Sequence, residues 1–197
     1  MEKRVIFVLG PTAVGKTKYA IEIARALGGE IVSADSMQLY KFMDIGSAKP
    51  TAEEQSLCRH HLVDMIDPRE AFSVSKFQKL AKAAIYDIEK RGLVPVVSGG
   101  TGLYVNSLIY DMDFSSPPGD EKKRRELYSL AEEKGCEYLH KLLEEKDSDA
   151  AARIHPHNIK KVVRAIEAAE SGAKIPSFEQ SFVKTKDYDA VIIGLER

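Results

Sequence analysis

The eight residues Gly10, Pro11, Thr12, Ala13, Val14, Gly15, Lys16 and Thr17 constrain this chain more than any other stretch. They fit the pattern G-x-x-x-x-G-K-[ST], in which backbone N–H groups cradle phosphate oxygens. The flanks are the ones the pattern requires. Val5-Ile6-Phe7-Val8-Leu9 is an unbroken apolar run, the signature of a buried parallel strand. Behind the loop, Ala20, Ile23, Ala24 and Leu27 recur at helical spacing, and Gly28 is placed to end the helix. Such a strand, loop and helix aim successive N–H groups at an anion near a helix N-terminus. Lys16 adds a full positive charge, and the Thr17 hydroxyl is suited to Mg²⁺. The loop therefore expects a di- or triphosphate, without saying which.

Length and charge narrow the setting. A chain of 197 residues suits one domain, or one domain with an insertion. The formal net charge is -1, so a polyanion would have to meet a local basic patch. Cys58 and Cys136 lie far apart and form no C-x-x-C, which suggests neither a zinc site nor a disulfide framework and fits a reducing cytoplasm. The first strand begins almost at once, leaving no room for a signal peptide. No apolar run approaches the roughly 20 residues of a membrane span. A cytoplasmic monomer is the expectation.

A second short strand is expected over Glu30-Ile31-Val32-Ser33-Ala34-Asp35. Ligands of open α/β sheets sit beyond the carboxyl ends of the strands, which is where Asp35 falls. A helix N-cap is the plainer role for an aspartate; polar Ser36 and Gln38, following at the same edge, favour chemistry. The segment 43–50 reads as a loop, in which Lys49 is open to an anion or, more commonly, to water. Adjacent His60 and His61 cannot share one face, so a packed or capping role is expected rather than a metal site.

Phe77, Leu80, Ala81, Ala84, Ile85 and Ile88 predict an amphipathic helix over 73–91. Leu93 to Ser98 then reads as a strand, and Gly99-Gly100-Thr101-Gly102 as a second glycine-rich turn into a helix. The residues alone leave that turn open between a ligand contact and a structural corner. This strand lacks the terminal aspartate that completes Mg²⁺ binding in many ATPases, which leaves Thr17 and water, with Asp35 or Asp67 nearby at best.

Ser115-Ser116-Pro117-Pro118-Gly119 breaks the pattern. Helical, charge-rich sequence follows at 122–133, 136–144 and 150–171, and an apolar strand returns at 190–195. The fold class expected is α/β, a parallel sheet flanked by helices. The sheet would come from 1–113 and 184–197, and a helical insertion from 114–183. Two basic clusters fall in the insertion. Lys122-Lys123-Arg124-Arg125 is flanked by acids and reads as a solvated face. Residues 150–166 instead contain Arg153, His155, His157, Lys160, Lys161 and Arg164 and no acid, which suits a phosphate backbone; a surface helix whose acids lie elsewhere is the alternative.

Taken together, the phosphate loop, Ser33 to Tyr40, Met43 to Pro50, His60 to Asp64, Gly99 to Tyr104 and Arg153 to Pro156 resemble the tRNA dimethylallyltransferase (tRNA isopentenyltransferase) family. The order and spacing of these motifs span the whole chain. The resemblance implies a P-loop NTPase-like core and transfer of a dimethylallyl group from dimethylallyl diphosphate to N6 of the adenosine 3′ of the anticodon, with Mg²⁺. It implies that residues 10–17 hold the donor's diphosphate, with Thr17 on the metal. Asp35 would be the general base, and Thr101 would contact the tRNA or the reacting groups. Ser36, Met37 and Gln38 would hold the target base of the anticodon stem-loop. Ile159, Lys160, Lys161, Val162 and Val163 would match a tRNA-contacting stretch. Family members continue about a hundred residues past the strand near Leu195, so the C-terminal third is expected to be missing. Competing readings are a P-loop small-molecule or nucleoside kinase using ATP, an enzyme prenylating free adenine nucleotides, and a non-catalytic RNA-binding remnant.

Overall fold

The computed structural model describes residues 3–112, 114, 121–172 and 182–196. Two compact units separate: Met1–Met112 with Ser181–Arg197, and Asp113–Gln180. The expected breaker at 115–119 lies outside the described residues.

The first unit contains a five-stranded parallel sheet in the order β3-β2-β4-β1-β5. Its strands are β1 (Arg4–Leu9), β2 (Gly29–Ser33), β3 (His60–His61), β4 (Val94–Gly99) and β5 (Asp189–Gly194). The helices are α1 (Lys16–Leu27), α2 (Ala52–Leu57), α3 (Val74–Lys90) and α4 (Gly102–Ile109). This is the doubly covered parallel sheet that near-continuous apolar strands require. On one side α3 and α4 bury Phe77, Ala81, Ile85, Ile88, Val105 and Leu108 against Val5, Phe7, Val32 and Val97. Phe77 and Tyr104 stack with ring centroids 4.0 Å apart. On the other side α1 packs Ala20, Ile21 and Ala24 over Val8, Ile31 and Val96.

The helical stripe of α1 holds for Ala20, Ile23 and Ala24 and departs from the one the spacing predicts at its end. Ile21 is inside as well, and Leu27 is half exposed in the last turn, where Gly28 ends the helix in the left-handed conformation and turns the chain into β2 at once. β5 pairs with β1 along six residues, yet Val191 and Ile192 stay 40% and 55% exposed. The apolar run 190–195 does return to the sheet, as a strand on which Ala190 packs on the core while Val191 and Ile192 meet water. β2 stops at Ser33, two residues short of Asp35, so the aspartate lies in the turn beyond the strand. Helix α2 is an addition to the elements that periodicity predicts. Its signal is Thr51-x-x-Glu54: Thr51 accepts the Glu54 N–H and Glu54 accepts the Thr51 N–H, a full capping box.

The second unit comprises α5 (Glu121–Lys134), α6 (Cys136–Lys146), α7 (Ser148–Arg153) and α8 (Ile159–Glu170). Leu139, Leu143, Val162, Val163 and Ile166 form its core with Leu127 and Ala131. The single helix expected over 150–171 is two helices. Pro156 denies the residue before it helical geometry and offers no N–H, so the chain leaves α7 at Arg153 and restarts at Ile159.

Candidate active site

The phosphate loop lies between β1 and α1. Gly15 is the N-cap of α1 at φ 88°, ψ 18°, a left-handed conformation cheap only for glycine. No side chain caps this helix end, so its first-turn N–H groups are left for a ligand. Gly10 is fixed by crowding: a Cβ there would stand 2.6 Å from the Leu195 carbonyl oxygen. The Lys16 ammonium donates to the Pro11 carbonyl at 2.7 Å, folded over the loop it serves.

Asp35 and the second glycine turn are built as one structure. Ala34 N–H donates to Ser98 O at 2.8 Å, and a Cβ on Gly99 would meet the Ala34 carbonyl at 2.4 Å. Glycine therefore lets β4 close on the turn after β2. Thr101 N–H donates to Ala34 O, its hydroxyl accepts the Ser36 N–H at 2.9 Å, and the same hydroxyl lies 3.3 Å from Ser36 Oγ. The turn at 99–102 is thus more than a corner, since it sets the backbone around Asp35. Asp35 Oδ1 accepts the Met37 N–H at 2.9 Å, the local bond of an aspartate turn rather than a helix cap. Gln38 is held at both ends, with Ser33 Oγ donating to its carbonyl and its NH₂ donating to Ala48 O, each at 2.8 Å.

One cavity of about 320 Å³ joins the two ends. Thr12, Gly15, Lys16 and Thr17 line it on the loop side, and Asp35, Met37 and Gln38 on the other. The Gly46–Pro50 loop and His60 contribute further wall. Asp67 is not in this wall; its carboxylate caps the Arg69 N–H in a local turn, which removes it as a metal neighbour. A second depression of about 350 Å³ runs along α5 past Lys122, Arg125, Ser129 and Glu133. It is an open helix face with no strand end or glycine turn, and is a poor match for chemistry.

Two supports of this cavity are invisible in the sequence. Lys49 meets neither a free anion nor bulk water. Its side chain is 5% exposed, and its ammonium donates to Tyr40 O, Asp44 Oδ1 and Asp64 Oδ1 at 2.9, 2.6 and 2.6 Å. Burial pulls its pKa down, but the two carboxylates outweigh that and the net shift is upward. Three donors are thus satisfied, and the wall between residues 40 and 50 is clamped. The second support is Glu30. Its side chain accepts both Arg91 nitrogens at 2.6 Å and lies 2.6 Å from His61 Nε2. The guanidinium holds Glu30 down to about 2 against the effect of burial, with His61 assisting. His60, on the same two-residue strand, pairs Nδ1 with Cys58 O at 2.8 Å. That bond places the proton on Nδ1 and leaves Nε2 as an acceptor. Nε2 is buried without a partner among the described residues, and burial pushes the imidazole pKa down.

In the second unit, Lys160, Lys161 and Arg164 are exposed on α8. Val162 and Val163 point into the core at 0% and 1% exposure. Within the stretch 159–163, Lys160, Lys161 and the half-buried Ile159 reach the surface. The break at Pro156 likewise removes Arg153, His155 and His157 from the α8 face. The acids of α8 are turned to α5, where Glu167 binds Arg124 and Glu170 binds Lys123. Part of the first basic cluster is therefore neutralised, and the N-terminal half of α8 stays cationic.

The IPP transferase family model matches residues 38–197. The tRNA dimethylallyltransferase of Alkaliphilus oremlandii is 50% identical, over 100% of this chain and 63% of its own length. That of Geobacillus kaustophilus is 49% identical, over 99% of this chain and 62% of its own. Among solved structures, the full-length tRNA isopentenylpyrophosphate transferase of Bacillus halodurans is 44% identical, with a TM-score of 0.61 over 98% of this chain and 60% of its own. A eukaryotic dimethylallyltransferase acting on tRNA is 28% identical, with a TM-score of 0.77 over 98% of this chain and 48% of its own. The fold is the P-loop NTPase-like parallel sheet flanked by helices. The chain spans about three fifths of the length of the curated relatives it matches. It belongs to the tRNA dimethylallyltransferase (IPP transferase) family.

Proposed function

We propose that this chain carries the catalytic core for transfer of a dimethylallyl group from dimethylallyl diphosphate to N6 of the adenosine 3′ of a tRNA anticodon. The observation that carries the reading is the single cavity with a phosphate loop at one end and the Asp35 carboxylate at the other. A diphosphate cradled by the loop N–H groups and Lys16 leaves its allylic carbon pointing toward Asp35. As N6 attacks, the carbon–nitrogen bond forms, the carbon–oxygen bond breaks, and the electron pair leaves with the diphosphate. Lys16 and the N–H groups face the charge that grows there, so they favour the transition state over the ground state. Asp35 takes the N6 proton, which makes a weakly nucleophilic exocyclic amine competent. Thr101 and Ser36 hold the Asp35 turn, and Gln38 is locked beside it. The base must leave the anticodon stack to enter, at a cost of a few kcal/mol.

The donor set suits Mg²⁺. Thr17 lines the cavity at the phosphate-loop end and Asp35 lines it at the other, both oxygen donors of the kind Mg²⁺ takes. When bound, the ion would neutralise charge on the departing diphosphate. The site on tRNA phosphates is proposed for Lys160, Lys161 and Arg164, and the two compact units support a division into a sheet core and a helical insertion. Among the described residues no helix is long and apolar enough to cross a membrane; on this reading the enzyme works in the cytoplasm.

The test is incubation of the chain with dimethylallyl diphosphate, Mg²⁺ and an anticodon stem-loop RNA, followed by mass analysis of the nucleosides. The expected product is N6-dimethylallyl-adenosine at the position 3′ of the anticodon. Absence of product, together with thermal stabilisation by ATP but not by pyrophosphate, would replace this reading with the kinase.

A further inference from the structure

We propose that Cys136, Glu137 and His157 form a binding site for a thiophilic divalent cation of the Zn²⁺ type. One ligand atom from each of the three lies within 4.8 Å of the others. Thiolate, imidazole and carboxylate together favour Zn²⁺ or Co²⁺, whereas Mg²⁺ and Ca²⁺ call for oxygen donors. Zinc bond lengths place neighbouring tetrahedral ligands roughly 3.5 Å apart, so rotation of the exposed Glu137 and His157 side chains closes the remaining ångström. Three protein ligands leave the fourth position to water.

The backbone beneath these residues is held in place. Cys136 and Glu137 open α6 immediately after Gly135, whose φ of 86° turns the chain out of α5. One turn further along α6, His140 Nε2 lies 3.1 Å from Ala151 O and 2.8 Å from Ile154 O. That pair of bonds pins the segment leading to His157 onto α6. Asn158 N–H then donates to His155 O at 2.8 Å, and the Asn158 side chain caps α8. Leu139 and Leu143 share a core with Val162, Val163 and Ile166, so α6 and α8 keep a fixed spacing. His157 N–H donates to His155 Nδ1 at 3.2 Å, and the two rings stack with centroids 5.1 Å apart. The His157 ring is thereby oriented beside Cys136. The cysteine itself is half-buried and not in a disulfide.

Cysteine spacing alone suggests no zinc site, because Cys58 and Cys136 are far apart in the sequence and lie in different units. The partner of Cys136 is instead a histidine 21 positions away, brought in by the break at Pro156.

Titration of the full chain with Co²⁺ under anaerobic conditions tests the site. The expected result is a thiolate-to-cobalt charge-transfer band with tetrahedral visible bands, saturating at one ion per chain and displaced by Zn²⁺ but not by Mg²⁺. Cys136→Ser should abolish the charge-transfer band, and His157→Ala should weaken binding by at least about 10-fold. Circular dichroism of both variants should match the parent, since His157 is exposed and Cys136→Ser exchanges only sulfur for oxygen at a half-buried position. No charge-transfer band, a band that survives Cys136→Ser, or displacement by Mg²⁺ would each overturn the proposal.

Discussion

Replacing Glu30 by Gln keeps the shape of the side chain and removes the charge that ties β2, β3 and the end of α3. The Glu30 side chain is 11% exposed and binds both Arg91 nitrogens at 2.6 Å. Its pKa falls from the ordinary 4.5 to about 2. At about 1.4 kcal/mol per pH unit, that lowering sets a ceiling of about 3.5 kcal/mol on the charge-dependent stabilisation. Arg91 is one-third exposed and also binds Asp87, so solvent screening brings the expected loss to about 1–2 kcal/mol. The folded pKa lies below the unfolded one. The stabilisation is therefore full above about pH 4.5 and is lost as the pH falls toward 2. Native-state hydrogen exchange of the amides at 29–33 and 58–62 reads this opening directly, without mixing in the second unit. Parent and Glu30→Gln should differ by the stated amount at pH 6–7, and the gap should shrink steadily below pH 4.5. A gap that stays constant down to pH 3 would show that packing, and not charge, holds this edge.

Lys49→Met leaves the Asp44 and Asp64 carboxylates without their shared ammonium. Both acids reach water, so the stability cost should be about 1–2 kcal/mol in urea unfolding, with a larger rise in KM for RNA than for the diphosphate donor. Lys16→Ala should weaken pyrophosphate binding at least 10-fold by calorimetry, while Thr17→Ala should chiefly flatten its Mg²⁺ dependence. Neutralising Lys160, Lys161 and Arg164 together should lower RNA affinity and reduce the salt slope by roughly one log unit for each RNA phosphate that no longer has a cation beside it; an unchanged slope would leave the strip as ordinary surface.

Local signals carry most of the scaffold. An apolar run, two glycine turns and a helical stripe are enough to place β1, α1, α3 and β4, because each is decided by neighbours within a turn or a strand. The cavity is legible only at its two ends. Lys49 finds Asp64 across 15 residues and Glu30 finds Arg91 across 61, separations at which no periodicity reports a contact. The inward turn of Val162 and Val163 is in principle readable from the apolar stripe of α8, but the basic residues around them pull the reading outward. The Thr51–Glu54 capping box is likewise present in the sequence, and periodicity alone passes over it because a six-residue helix is too short to show a stripe.

The central claim is that Asp35 acts as a base on a substrate whose diphosphate rests in the loop at residues 10–17. Single-turnover prenylation of an anticodon stem-loop by Asp35→Asn, alongside pyrophosphate and RNA binding, tests it most directly. The account predicts that both binding constants stay near those of the parent while the chemical rate falls by about 10²–10⁴-fold. An Asn variant that transfers the dimethylallyl group at the parental rate would contradict it.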